Sequence, residues 1–291
     1  MKIADATVIA GKRAISRSYA KINLTLDVLS LREDGYHELE TLMQTVGLFD
    51  LVIVDRTDRG ISLATNLKYL PVNEKNIAYK AAALFFERTG ILGGAKILIH
   101  KNIPVAAGLA GGSGNAAAVL ASLNMLYNKP LSDDELLSEA VKLGADVPFC
   151  LEGGTCLCRG IGEIMSPSAP FPKRHVLLVK PPLSVSTREI YEALDSEEEF
   201  PHPKTEELLS SLTKDGYSPD KLFNVMERVT VKKHPVIGGI KEKMLLNGAE
   251  AALMSGSGPT VFGLFDDFKK AKASADSFSY LYKEVYLTSI N

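Results

Sequence analysis

The chain has 291 residues, a formal net charge of −2, and 46% hydrophobic against 23% charged residues, the balance of a globular protein long enough for two domains. Without a basic surplus or an apolar run of membrane length, neither a nucleic-acid partner nor a membrane is expected. The N-terminal MKIADATVIAGKR lacks a signal-peptide core and cleavage site, so a cytoplasmic location is expected.

Along the chain, residues 20–28 alternate apolar and polar side chains, the pattern of a half-buried strand. Lys21 and Asn23 then project together from the face away from the core. That face is either solvated or the lining of a cleft. Residues 51–54 and 96–99 read as further strands. Between them Ile77, Ala81, Leu84 and Phe85 mark one face of a helix that ends before Gly90.

Residues 104–118 read PVAAGLAGGSGNAAA, and Val119, Leu123 and Leu126 continue at helical spacing. A glycine-rich loop opening a helix leaves backbone N–H groups unpaired at the positive end of the helix dipole, where a phosphate can approach closely. No GK[ST] closes the loop, so it is not a Walker A loop, and G-x-G-x-x-G spacing is absent. The competing reading is a tight turn that only lets a strand and a helix pack.

Ser132 and Glu135 form a capping box for the next helix, which Gly144 stops. Asp146, in LGADVPFC, either caps a turn or is a partly desolvated carboxylate able to activate a hydroxyl beside a lysine. GGTCLCRGIGE reads as a strand region. Its Cys156 and Cys158, with Cys150, are too few for a disulfide framework and wrongly spaced for zinc; no metal ligands are expected.

The proline-rich residues 166–174 read as a linker between domains at 1–165 and 166–291. A strand at 175–180 follows, then helices at 187–194, 204–212, 219–229 and 235–246. Strands at 251–254 and 260–265 are joined by SGSGP, either a hairpin turn or a second backbone nest for phosphate. A helix from about Asp267 and a strand at 285–288 complete the chain. The mixture favours α+β with antiparallel pairing.

Taken together, these segments resemble the GHMP kinase superfamily of small-molecule kinases. P-x3-G-L-x-G-G-S ahead of a helix is similar to its ATP loop, and SGSGPT to its C-terminal glycine motif. AKINLTLDV at 20–28, REDGYHELETLMQTV at 32–46, GADVPFC at 144–150 and VSTREIY at 185–191 resemble one branch of it. That branch phosphorylates a tertiary hydroxyl of a cytidine-diphosphate-linked methylerythritol in the non-mevalonate isoprenoid pathway. The resemblance runs from about Ser18 to the C-terminus.

It implies an N-terminal α+β domain and a C-terminal ferredoxin-like domain, with ATP, Mg²⁺ and the cytidine-bearing substrate in the cleft between them. Asp146 is implied as catalytic base, Lys21 as its partner at the transferred phosphoryl, and Asn23 as a substrate contact. Pro104, Val105, Ala106, Ala107, Gly108, Leu109, Ala110, Gly111, Gly112, Ser113 and Gly114 are implied to wrap the phosphates, with Asn76 and Lys101 flanking the nucleotide. Tyr36 and Tyr191 are implied to sandwich cytosine, His37 to read its edge, and Thr187 to bind the same substrate. Gly114 stands where the family more often has serine, which predicts weaker ATP binding. Residues 1–13 extend beyond the usual start. The alternatives are another kinase of the superfamily, acting on homoserine, mevalonate or a sugar, and a non-catalytic nucleotide-binding regulator. No signal of oligomeric state is present.

Overall fold

The computed structural model describes residues 7–197, 202–212 and 216–290; residues 1–6 of the N-terminal extension lie outside them. Contacts gather the chain into two units, residues 1–20, 49–105 and 110–153, and residues 21–48, 106–109 and 154–291. Two long strands, β2 (Arg13–Leu31) and β3 (His37–Thr57), each contribute to both.

In the first unit, β1 (Thr7–Ile9) pairs antiparallel with the start of β2. β4 (Gly60–Thr65), α1 (Ile77–Thr89) and β5 (Gly94–His100) follow β3. β5 runs antiparallel to β3 and parallel to β4. A parallel pair needs a crossover, and α1 supplies it; β1–β2 and β3–β5 are antiparallel, as expected. Asn76 caps α1 by accepting from the Ala78 N–H at 3.0 Å, and Gly90 ends the helix at a φ of 65°.

α2 (Gly111–Leu126) packs against α1 and against α4 (Asp146–Glu152). It is buried almost all round from Gly114 onward, which the small side chains of Ala116, Ala117 and Ala118 allow. Val119, Leu120 and Leu123 join Phe85, Val52, Val54, Ile97 and Ile99 in one core. Each such side chain contributes roughly 1.5–3 kcal/mol on burial. α3 (Asp133–Leu143) carries the expected capping box. Asp146, read either as a turn cap or as a partly desolvated carboxylate, is the first residue of α4, whose N-cap position is Ala145.

In the second unit the first part of β3 pairs antiparallel with β6 (Thr155–Gly160), and β6 with β7 (Ile164–Pro167). The expected linker at 166–174 is therefore strand at both ends, because β8 (Arg174–Lys180) already begins at Arg174. Cys156 and Cys158 are buried.

α5 (Thr187–Asp195) and α6 (Thr205–Ser211) follow β8. The helix expected at 219–229 is replaced by a 3₁₀ turn, a short strand β9 (Phe223–Asn224) and α7 (Glu227–Lys233). Hydrogen bonding of β9 to β2 overrides the local propensity.

α8 (Pro235–Leu246), β10 (Ala251–Met254), β11 (Val261–Phe265), α9 (Phe268–Ser279) and β12 (Glu284–Ile290) complete the chain. The antiparallel order β12-β8-β11-β10 places the strands 4-1-3-2 in order of sequence, the ferredoxin-like arrangement. Leu177, Val179, Val261, Phe265, Ile240, Met244 and Phe278 fill its core. Among the described residues no helix is long and apolar enough to cross a membrane.

Candidate active site

The glycine segment is built from unusual backbone. Ala106, Gly108 and Ala110 have φ values of 51°, 72° and 54°, the left-handed region that side chains rarely adopt. Ala110 is the N-cap of α2, and its methyl side chain provides no cap to the first N–H groups of that helix.

The glycines have different reasons. A Cβ at Gly108 would meet the Ser255 carbonyl oxygen at 2.2 Å, and one at Gly111 would meet Ile103 Cγ2 at 3.0 Å and Lys101 Nζ at 3.1 Å. Gly114 is buried and faces Ser18. Gly112 alone of these four is exposed with room for a side chain, meeting only Ile77 Cγ2 at 3.6 Å.

Residues 106–109 bring together segments far apart in sequence. The Lys21 N–H donates to the Leu109 carbonyl at 3.2 Å, and Ser255 Oγ donates to the Gly108 carbonyl at 2.9 Å. A Cβ at Gly256 would lie 3.5 Å from Gly108 O and 3.7 Å from Asn23 Oδ1. SGSGP is thus the turn of the β10–β11 hairpin and also lies against the first glycine segment. Asn224 holds it there, its Nδ2 donating to the carbonyls of Met254 and Gly256, each at 2.8 Å.

Lys21 and Asn23 differ from the half-exposed face expected of them. Lys21 is 5% exposed and Asn23 1%, so both faces of this stretch of β2 are covered. Buried polar groups persist only when bonded, and these form a chain. Lys21 Nζ donates to Asn23 Oδ1 at 2.8 Å, Asn23 Nδ2 to Thr41 Oγ1 at 2.8 Å, and Thr41 Oγ1 to the Thr25 carbonyl at 2.6 Å. Further along the strand, buried Asp27 bonds His202 Nδ1 at 2.9 Å, and burial holds its carboxyl above the usual range against that pairing.

Asp146 is half-buried at the first position of α4, followed by buried Val147, Pro148 and Phe149. Asn76 is half-buried, its amide also donating to the Pro71 carbonyl at 2.8 Å. Lys101, expected beside the nucleotide, has its ammonium turned to buried partners: it pairs with Asp50 and donates to Asn115 Oδ1 at 3.0 Å.

Tyr36 is 60% exposed on the turn between β2 and β3. His37 stacks on Tyr191 with centroids 4.3 Å apart and planes at 8°, and its Nε2 meets Asp195 Oδ1 at 2.8 Å. The expected slot between Tyr36 and Tyr191 thus differs from the arrangement found, in which His37 covers a face of Tyr191. Thr187 shares a 2.7 Å hydrogen bond with Ser257, next to the SGSGP turn.

Sequence patterns missed Asp50, Asp195 and Asn224. Asn224 carried a usable signal, an amide inside the apolar run LFNVM. Asp195 lies 158 residues from its partner His37, and nothing local marks it.

Residues 76–154 match the GHMP kinases N terminal domain, and residues 196–284 the GHMP kinases C terminal domain. The 4-diphosphocytidyl-2-C-methyl-D-erythritol kinase of Clostridium novyi (strain NT) is 47% identical over 274 residues, 94% of this chain and 98% of its own length. The chain belongs to the GHMP kinases, in their 4-diphosphocytidyl-2-C-methyl-D-erythritol kinase family. The kinase of that name from Clostridium beijerinckii is 46% identical over the same shares of the two chains. A crystal structure of a 4-(cytidine 5'-diphospho)-2C-methyl-D-erythritol kinase superposes with a TM-score of 0.82 at 34% identity, covering 94% of this chain and 98% of that one. A homoserine kinase from Cytophaga hutchinsonii, at a TM-score of 0.71 and 19% identity over 98% of this chain and 97% of its own, shares the GHMP fold. As a kinase family, the group implies ATP as co-substrate.

Proposed function

We propose that this chain transfers the γ-phosphoryl group of ATP to the 2-hydroxyl of 4-diphosphocytidyl-2-C-methyl-D-erythritol. The observation that carries the reading is 47% identity across 94% of the chain to a kinase of that name. Gly112 supports the phosphate role of residues 104–114. Glycine in a helix costs up to about 1 kcal/mol relative to alanine, and here no neighbour demands it. Open space before an exposed N–H at a helix start suits an incoming anion.

In phosphoryl transfer the protein mainly positions reactants and neutralises charge. Lys21, braced by Asn23, supplies a fixed cation for the moving phosphoryl group. Asp146 receives the proton of the attacking hydroxyl. Mg²⁺, if bound with the nucleotide, would supply neutralisation of phosphate charge. Among the described residues no group of three or more His, Cys, Asp or Glu converges.

The cytidine end is assigned to Tyr36, His37, Tyr191 and Thr187. Their support is the aromatic pair His37–Tyr191 with the exposed Tyr36 ring nearby in sequence. Stacking on such rings is worth about 1–3 kcal/mol per base. A cytoplasmic location goes with this reading. A transfer assay with the cytidine-linked substrate, homoserine and mevalonate in parallel tests it. The expected result is a kcat/KM at least about a hundredfold higher for the cytidine-linked alcohol, since its stacking and polar contacts have no counterpart in the others. Preference for another alcohol, or no turnover with any, would overturn it.

A further inference from the structure

Asp50 is fully buried in β3, and its two carboxylate oxygens divide their partners. Oδ1 accepts the backbone N–H groups of Asn102 at 2.7 Å and Ile103 at 2.8 Å. Oδ2 accepts from Asn115 Nδ2 at 2.9 Å and from the Lys101 ammonium. Asn102 and Ile103 immediately precede Pro104, where the glycine segment starts, and Asn115 is early in α2, where that segment has become helix. One side chain therefore ties the backbone leading into the segment to the helix leading out of it.

The surrounding network is closed. Lys101 Nζ also donates to Asn115 Oδ1 at 3.0 Å, and Asn115 Nδ2 reaches Ser18 Oγ at 3.1 Å. Ser18 and Asn115 are 3% and 4% exposed, and the Lys101 side chain 5%. A charge pair this deep has a large desolvation cost, and apolar residues of similar volume often serve stability as well or better. Its geometry offers another advantage, because a carboxylate can accept from both ends of the segment at once.

We propose that Asp50 is a positioning residue for the nucleotide. It holds the two ends of residues 104–114 at a set separation, so that the N–H groups of Gly111 and Gly112 are presented to phosphate without reorganisation. Lys101 serves as the counter-charge of Asp50, not as a phosphate ligand. This rests on reading residues 104–114 as the ATP cradle.

Asp50→Asn tests the link selectively. Its Oδ1 still accepts from Asn102 and Ile103, while its NH₂ faces two other donors. The expected result is a KM for ATP raised by about tenfold or more, with the KM for the cytidine-linked alcohol changed less than about twofold. Asp50→Asn with Asn115→Asp restores an acceptor opposite Lys101 and is expected to recover most of the ATP affinity.

If Asp50→Asn does not fold, Asn115→Ala carries the test. It keeps the Asp50–Lys101 pair and cuts only the link to α2, and it is expected to raise the KM for ATP several-fold, by about 1 kcal/mol of lost hydrogen bonding. An unchanged KM for ATP in folded Asp50→Asn or in Asn115→Ala overturns the proposal. So does an equal rise in both KM values. Gly112→Ala is the control on the underlying reading. If it raises the KM for ATP while the two network variants do not, the positioning role alone fails. If none of the three moves it, the cradle assignment fails as well.

Discussion

A Cβ on Gly114 would stand 2.6 Å from the Ser18 hydroxyl oxygen, inside van der Waals contact, with the Tyr19 carbonyl oxygen at 3.4 Å beyond it. Gly114 therefore faces the interior of its unit, where Ser18 already fills the space. The expectation that a missing serine hydroxyl at this position weakens ATP binding does not fit this geometry, because a serine side chain here would start toward Ser18.

Gly114→Ser is accordingly expected to destabilise the protein by about 1–3 kcal/mol through overpacking, with no gain in ATP affinity. Ser18→Ala combined with Gly114→Ser removes the colliding oxygen and should recover much of that loss. Thermal melts of the three proteins, with the KM for ATP measured alongside, check both halves.

Gly112 should behave in the opposite way. An alanine there meets only Ile77 Cγ2 at 3.6 Å and gains helix propensity. Gly112→Ala is expected to leave the melting temperature unchanged or to raise it by up to about 1 kcal/mol equivalent. The same substitution should raise the KM for ATP about fivefold or more, because a methyl group now stands where a phosphate would approach, at a cost of about 1 kcal/mol or more. A lowered melting temperature with unchanged KM would argue that the glycine serves packing.

These contrasts show what was legible in the sequence. The glycine segment, the capping box at Ser132 and the alternation of residues 20–28 are local signals, and each led to the right kind of element. Alternation revealed that Lys21 and Asn23 share a face, yet it is blind to whether a second layer covers that face. Here the polar side chains bond one another and the face is closed. The first part of β3 escaped notice because its buried polar residues Thr41 and Gln44 break the hydrophobic pattern. Asp50 and Asn224 act on backbone tens of residues away, so their roles exist only in the folded chain.

Asp27 gives a pH-dependent consequence. Burial, the dominant influence, raises its folded-state pKa above the unfolded value, and the hydrogen bond from His202 opposes this only in part. A carboxyl with a raised folded pKa contributes stability that is complete below the ordinary carboxylate range, near pH 4, and is lost as pH climbs through the raised value. Asp27→Asn stays neutral throughout. Its melting temperature should therefore fall less than that of the wild type between about pH 4 and pH 7. Parallel slopes for the two proteins would refute the assignment.

The proposed reaction is phosphoryl transfer to the cytidine-linked alcohol with Asp146 taking the proton. Its most direct measurement follows label from γ-phosphoryl-labelled ATP into 4-diphosphocytidyl-2-C-methyl-D-erythritol, using the wild type and Asp146→Asn side by side, with ATP binding titrated in both. The wild type should form the 2-phosphorylated product, and the variant should bind ATP normally while losing about a hundredfold or more in turnover. Absence of labelled product from the wild type, or near-normal turnover by the variant, would contradict it.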